Sequence, residues 1–238
     1  MNSYPKTKIT RVRFSQHFLT DSNVLKKIEE SMSGIENKRV IETGPGKGAL
    51  TKIISKKNPK SLTLVEKDQS LIESLSNGFK KSSVLNADIL DYNIKEDVFV
   101  SSVPYSITRE ILLHLCRFNS IKMSYLIIQK EAAEKILYLN PVPVSVYVRT
   151  FFSIEKIFDI KKNSFTPPPK VMSSFIVMKR TTDFLEKHEG YWNFLTKTLS
   201  GKKKSAEKLK EEFAGRRIGE LTEEELLQAY AYKDIHSH

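Results

Sequence analysis

The chain has 238 residues, 39 of them Lys or Arg and 28 Asp or Glu, for a formal net charge of +11. That length suffices for one sizeable core with a small appendage, and the charge points to a polyanionic partner, nucleic acid before acidic membrane. Cys116 is the single cysteine, which excludes an internal disulfide framework and points to a reducing compartment; no run approaches the about 18 apolar residues that cross a bilayer, so a soluble cytoplasmic protein without a membrane partner is expected.

Residues 1–20 form a basic arm, with Lys6, Lys8, Arg11 and Arg13 leading into Phe14-Ser15-Gln16-His17-Phe18-Leu19. Such an arm becomes ordered only at its aromatic end. Asp21 or Ser22 is placed to cap a helix that runs to Met32, with Val24, Leu25, Ile28 and Met32 on one face. A first strand, Arg39 to Glu42, then meets Gly44, Gly46 and Gly48, three glycines at a spacing of two before a helix-like stretch. Glycine tolerates positive φ and lets another molecule lie against the backbone, and the helix behind it offers free N–H groups. The spacing is G-x-G-x-G, not the dinucleotide G-x-G-x-x-G, so no pyrophosphate is implied. With Glu42 ahead of it, the pattern resembles the first motif of S-adenosylmethionine-dependent methyltransferases.

Strand and helix patterns alternate from there, the mark of a parallel sheet with crossover helices. Strands are expected at Ser61–Glu66, Ser83–Ala87, Asp97–Ser101, Met123–Gln129, Ile154–Ile160 and Ser173–Lys179, and helices at Ser70–Phe79, Ile107–Phe118 and Glu131–Leu139. Pro141 and Pro143 break the last of these helices. The expected fold is α/β: a doubly wound, seven-stranded, mostly parallel Rossmann-like sheet over residues 21–180. After Thr181 the strand signal stops, and short helices at Tyr191–Leu199, Ser205–Phe213 and Glu223–Tyr230 make residues 181–238 a small helical RNA-binding domain. The densest basic run, Lys202-Lys203-Lys204 with Lys208, Lys210, Arg216 and Arg217, falls there; it is a solvated helix face or a grip on phosphates.

In such sheets ligands sit beyond the carboxyl ends of the strands. Gly44 follows the first strand, Glu66 ends the second, Asp88 follows the third and Ser102 the fourth. Glu66 stands where an acid meets ribose hydroxyls with its two oxygens, and Asp88 can accept from an adenine amino group; each alone is also an ordinary helix-start or turn acid. His17, His114, His188, His236 and His238 show no metal-ligand spacing on a helix or hairpin, so no metal is expected.

After the fourth strand comes Ser102-Val103-Pro104-Tyr105. Together with Phe14–Leu19, Gln129-Lys130-Glu131-Ala132-Ala133-Glu134 and Phe165-Thr166-Pro167-Pro168-Pro169-Lys170-Val171, it makes the chain resemble the ribosomal RNA adenine dimethyltransferase family over about residues 11 to 180. The resemblance implies an S-adenosylmethionine-dependent N-methyltransferase acting on adenosine in ribosomal RNA, as a monomer on the immature small ribosomal subunit. It places His17 and Leu19 at the cofactor, Gly44 and Gly46 at its methionine end, Glu66 at the ribose, Asp88 at the adenine, and Ser102 at the reaction centre. The Ser102 hydroxyl and Pro104 carbonyl would accept from the target amine, while Tyr105 and Phe165 stack on the base. In two places the chain departs from the family pattern. Ser102 replaces the asparagine that opens the fourth motif, and Pro141 to Arg149 replaces a glycine-arginine-leucine-serine block, with Ser145 retained. A second reading is therefore kept: a nucleic-acid-binding assembly or transcription factor with the methyltransferase fold and weakened catalysis.

Overall fold

In a computed structural model, the chain is described over residues 17–137, 142–183, 188–199 and 221–235. Residues 1–16, the lysine-rich run at 202–217, the expected helix at 205–213, and His236 and His238 lie outside the described residues.

The central sheet is built from β2 (Arg39–Thr43), β3 (Ser61–Glu66), β4 (Ser83–Asn86), β5 (Val98–Ser102), β6 (Met123–Gln129), β7 (Phe152–Ile160) and β9 (Ser173–Arg180). Its order is β4-β3-β2-β5-β6-β9-β7. The first five strands are parallel, whereas β9 runs antiparallel to both β6 and β7. Continuous apolar runs such as Val98-Phe99-Val100 and Leu126-Ile127-Ile128 suit strands covered on both faces. Chain order reverses at β2, which pairs with β3 on one side and β5 on the other. Helices α1 (Ser22–Ser31), α2 (Ala49–Lys56) and α3 (Gln69–Gly78) cover one face, where Ile28, Ile53, Ile54 and Leu75 meet Val40, Leu64 and Val100. On the other face, α4 (Thr108–Cys116), α5 (Lys130–Leu137) and α6 (Pro143–Phe151) pack Ile111, Leu115, Ala133, Ile136 and Val146 against Ile41, Phe99 and Leu126.

Helix starts follow local chemistry. Asp21 Oδ1 accepts from the N–H groups of Asn23 and Val24, and Asp68 Oδ1 accepts from Ser70 N–H, satisfying donors that a first turn leaves unpaired. One helix departs from the sequence reading. Pro143, expected only to break the preceding helix, also begins α6, at a position where its missing N–H costs nothing and its fixed φ suits the first turn. Ser145 is buried there, donating to the Val142 carbonyl.

Helices α7 (His188–Leu199) and α8 (Glu223–Ile235) bury Tyr191, Phe194, Leu195, Leu226 and Ala229 in the same apolar cluster as Tyr147 and Phe151 of α6. Arg149 pairs with Glu223 at 2.6 Å, and Thr150 and Tyr191 share a hydroxyl hydrogen bond of 3.1 Å.

The last residue of β9 closes the far end of this layer. The Arg180 guanidinium donates to the carbonyls of Leu115, Cys116, Phe118, Ile121 and Thr182 and lies 4.4 Å from the Phe152 ring centroid. It thereby caps the carbonyl end of α4 with a fixed positive charge. Arg180→Ala should cost about 2 to 4 kcal/mol of stability, because it leaves partly buried carbonyls unpaired. Arg180→Lys should recover little, since an ammonium cannot span five acceptors. Urea unfolding of the three proteins checks this, and a wild-type midpoint for the alanine variant would show the cap to be dispensable.

Candidate active site

Parallel strands place their carboxyl ends on one edge of the sheet. Thr43 is in register with Val65 on one side and Ser101 on the other, and Glu66 with Asn86. The turn after β2, the Glu66 carboxylate, the Asp88 turn and the Ser102–Tyr105 segment therefore share that edge, at the switch point where α/β sheets bind ligands.

Gly44, Gly46 and Gly48 all adopt positive φ, +62°, +55° and +78°, which side chains rarely adopt. Their surroundings differ. A Cβ on Gly46 would lie 2.9 Å from the Phe18 ring, and one on Gly48 2.5 Å from the Phe79 ring, while one on Gly44 would meet nothing within 4 Å. Two glycines are thus occupied by the protein's own aromatics, and the open flank of the turn is at Gly44. Lys47 Nζ lies 4.8 Å from the centroid of the same Phe18 ring.

Glu66, only 6% exposed, braces the turn from the next strand: Oε2 accepts from Gly46 N–H at 3.1 Å and Oε1 from Asp68 N–H at 2.9 Å. Each oxygen keeps a further lone pair. Asp88 starts a 3₁₀ turn over Ile89–Asp91, accepting from Leu90 N–H at 3.1 Å and from Lys67 Nζ at 2.7 Å. The bond from Lys67 outweighs partial burial and holds this carboxyl below the usual aspartate range. Glu42 lies beneath the turn, 2% exposed, and accepts from Thr51 Oγ1 at 2.6 Å.

Ser102 ends β5, half-buried. The Pro104 carbonyl already accepts from Ile107 N–H at 3.1 Å and, more weakly, from Thr108 Oγ1 at 3.5 Å, so it is fixed in direction with limited capacity to spare. Tyr105 is half-buried, its hydroxyl sharing a 2.7 Å hydrogen bond with Ser173 Oγ of β9, and burial raises its pKa.

The arm and the proline-rich loop meet over this edge. β1 (Phe18–Leu19) pairs antiparallel with β8 (Phe165–Thr166), Leu19 opposite Phe165. Thr20 and Asp21 N–H groups donate to the Ser164 carbonyl at 2.9 and 3.2 Å, and Ser164 Oγ donates to Asp21 Oδ2 at 2.9 Å. Leu19 and Phe165 are both core residues, 6% and 4% exposed. His17 Nδ1 lies 2.8 Å from the Pro167 carbonyl, and its ring centroid is 6.1 Å from that of Tyr105 at 30°. Of the expected site residues, then, Gly44, Glu66, Asp88 and Ser102 end or follow parallel strands along one edge, while His17 and Tyr105 form a ring pair. The side chains of Leu19 and Phe165 instead pin the arm to the loop. Sequence reasoning missed Phe18 and Phe79 as the covers of Gly46 and Gly48; an aromatic beside a glycine turn carries no periodic signal. Among the described residues no cluster of three or more metal-ligating side chains exists, and no helix is long and apolar enough to cross a membrane.

Residues 8–236 match the sequence family described as ribosomal RNA adenine dimethylase. The chain belongs to that family. It is 35% identical over 224 residues to a ribosomal RNA small subunit methyltransferase A of Malacoplasma penetrans, covering 88% of this chain and 81% of the relative. A protein of the same name from Mycoplasmopsis pulmonis is 38% identical over 210 residues, covering 81% and 80%. The fold is that of a dimethyladenosine transferase from Plasmodium falciparum, with a TM-score of 0.81 at 21% identity over 92% of this chain and 98% of that one. The 23S rRNA methyltransferase ErmE also shares it, with a TM-score of 0.70 at 23% identity over 91% and 99%.

Glu42 makes stability depend on pH. Burial, reinforced by nearby Glu66 and opposed by the Thr51 hydrogen bond, pushes its carboxyl from 4.5 up to about 8. Between those values the folded chain holds a proton that the unfolded chain has released. Stability should therefore fall as pH rises through that window. Glu42→Gln stays neutral and should flatten the fall by at least about 1 kcal/mol. Parallel denaturation profiles from pH 5 to 8 for the two proteins would mean that Glu42 is ionised in the fold.

Proposed function

We propose that this chain transfers methyl groups from S-adenosylmethionine to adenosine in small-subunit ribosomal RNA, two to each target nitrogen. The observation that carries the reading is the open flank at Gly44, with Glu66, Asp88 and the Ser102–Tyr105 segment set along the same sheet edge. The names of the curated relatives favour the small subunit. The family resemblance and the acidic, glycine-lined edge support the cofactor, and the net charge of +11 supports an RNA partner.

S-adenosylmethionine, when bound, supplies a methyl group already activated by its sulfonium sulfur. The residues have to align, shield and hold. Gly44 lets the ligand approach the backbone. Glu66 has lone pairs left for ribose hydroxyls, and Asp88, kept ionised by Lys67, for an adenine amino group. On the substrate side, Ser102 Oγ and the Pro104 carbonyl accept from the target amine. They draw its lone pair out of conjugation with the ring. Tyr105, anchored through Ser173, offers a stacking face. Orientation supplies most of the acceleration, and the proton released after transfer goes to solvent. A loop adenosine is the natural target, since a paired one must first be extruded.

The competing reading, a binding factor without turnover, separates on one measurement: radiolabelled methyl transfer to immature small ribosomal subunits, followed by mass analysis of the digested RNA. Dimethyladenosine is expected, and absence of labelled adenosine overturns the proposal. Glu66→Ala should weaken cofactor binding about tenfold or more while the protein stays folded, since it removes a charged acceptor and frees the glycine turn; unchanged affinity by calorimetry would remove Glu66 from the site. Ser102→Ala should slow single-turnover methylation only several-fold, as befits one hydrogen bond of about 1 kcal/mol. Ser102→Asn, which restores the longer acceptor, should be at least as fast as the natural protein.

A further inference from the structure

We propose that Arg109 is a phosphate contact for the RNA strand at the mouth of the base site, and that Trp192 of α7 is the seat that holds its guanidinium in place. The inference rests on the reading that the Ser102–Tyr105 segment receives the base.

Arg109 stands in the first turn of α4, four residues after Tyr105. That is about one helical turn, or roughly 5 to 6 Å along the axis. Ser106 and Arg109 are both exposed and lie three residues apart, so they share the outer side of the turn that follows the base segment. A cation in a first helical turn opposes the macrodipole, so helix stability does not account for an arginine here. Pairing does not account for it either. Its carboxylate neighbour is Glu110 at 3.8 Å, and adjacent residues on a helix do not face each other. Its side chain is 60% exposed, and the guanidinium donates no hydrogen bond among the described residues.

What the guanidinium does have is a seat. It lies 5.5 Å from the Trp192 ring centroid, within cation–π range. Trp192 is held in turn, packed on the core and set edge-to-face at 5.4 Å and 81° against the buried ring of Tyr147. A long side chain resting on a rigid indole has less rotamer freedom left to lose on binding. Its unspent fork of N–H donors is therefore presented in a set direction, and such a fork matches phosphate oxygens. A nucleotide whose base rests on Tyr105 carries backbone phosphate beside it, and Arg109 stands one turn away. Phosphate contacts fix register and carry no sequence information, which is what a base site needs at its mouth. The net charge of +11 makes an RNA backbone the fitting anion.

The test is the affinity for immature small ribosomal subunits across a salt series, with S-adenosylhomocysteine present. Arg109→Ala should weaken it by no more than about fivefold, and should flatten the plot of log affinity against log salt by about one. Its S-adenosylmethionine affinity, read by calorimetry, should stay within about twofold. Arg109→Lys keeps the charge and the slope but recovers only part of the affinity, because an ammonium lacks the fork. Trp192→Leu should weaken subunit binding by about two- to fivefold and cost nothing further in the Arg109→Ala background, since its effect runs through Arg109. A wild-type salt slope for Arg109→Ala overturns the phosphate contact, and a Trp192→Leu loss of equal size in both backgrounds overturns the seat. A tenfold loss of S-adenosylmethionine affinity in Arg109→Ala overturns both, by making Arg109 a cofactor contact. Tyr105→Ala separates this proposal from the reading beneath it. If that variant methylates like the wild type, the base reading fails, while a flattened slope for Arg109→Ala still establishes a phosphate contact. If Tyr105→Ala is impaired and Arg109→Ala keeps the wild-type slope, this proposal alone fails.

Discussion

The hydrogen bond from Gly46 N–H to the Glu66 carboxylate ties the glycine turn to the neighbouring strand, and the geometry of the edge depends on it. Three positive-φ glycines at alternate positions have much backbone freedom to lose, so the turn holds its shape only if its surroundings overdetermine it. Glu66 fixes it at Gly46, Phe18 and Phe79 lie against Gly46 and Gly48, and the Gly44 N–H donates to the Val65 carbonyl at 2.9 Å. What remains uncovered is the Gly44 flank. A ligand bound there replaces solvent against a surface already ordered, so little of its binding energy is lost to organising the protein.

The arm and the proline-rich loop have a similar division of labour. β1 carries Phe18 onto Gly46, and His17 just before it stands beside Tyr105, so one short segment touches both the glycine turn and the Ser102–Tyr105 segment. Its partner β8 lies about 146 residues further along the chain. Asp21 joins the two by capping α1 with one oxygen and accepting from Ser164 with the other. Displacing the arm therefore disturbs a helix start as well as a strand pair, and Asp21 couples the two.

The sheet was legible because its strands are largely apolar runs of four to nine residues, bounded by polar turns and separated by helical periods. Strand ends were legible for the same reason, and they located Glu66, Asp88 and Ser102. Direction was less so: nothing in Ser173–Arg180 distinguishes a parallel from an antiparallel neighbour, since both are buried on two faces. Helix α6 escaped because proline was read as a breaker, whereas at the first helical position it is favoured. The β1–β8 clamp has no local signature at all. Two residues make no period, and their partners are set by tertiary packing alone. Phe165 was recognisable as an aromatic next to prolines, but its burial followed from Leu19 opposite it, a pairing that no spacing encodes.

Serine at position 102 has a consequence that depends on the number of N–H bonds at the target nitrogen. A hydroxyl oxygen stands one bond from Cβ and an amide oxygen two, so the acceptor retracts by about the length of one bond, while hydrogen bonds tolerate only about 0.5 Å of variation. The gap closes by a deeper base or a bridging water. The Pro104 carbonyl does not share this problem, because Ile107 N–H fixes its direction. An unmodified adenine amine has two N–H groups to place and needs both acceptors. On the function proposed above, one methyl transfer leaves a single N–H, which the Pro104 carbonyl can hold by giving up its weak 3.5 Å contact with Thr108 Oγ1. The retracted serine would then burden the first transfer more than the second, so a site built this way would favour carrying a bound adenosine on to the dimethylated product once the first methyl is in place.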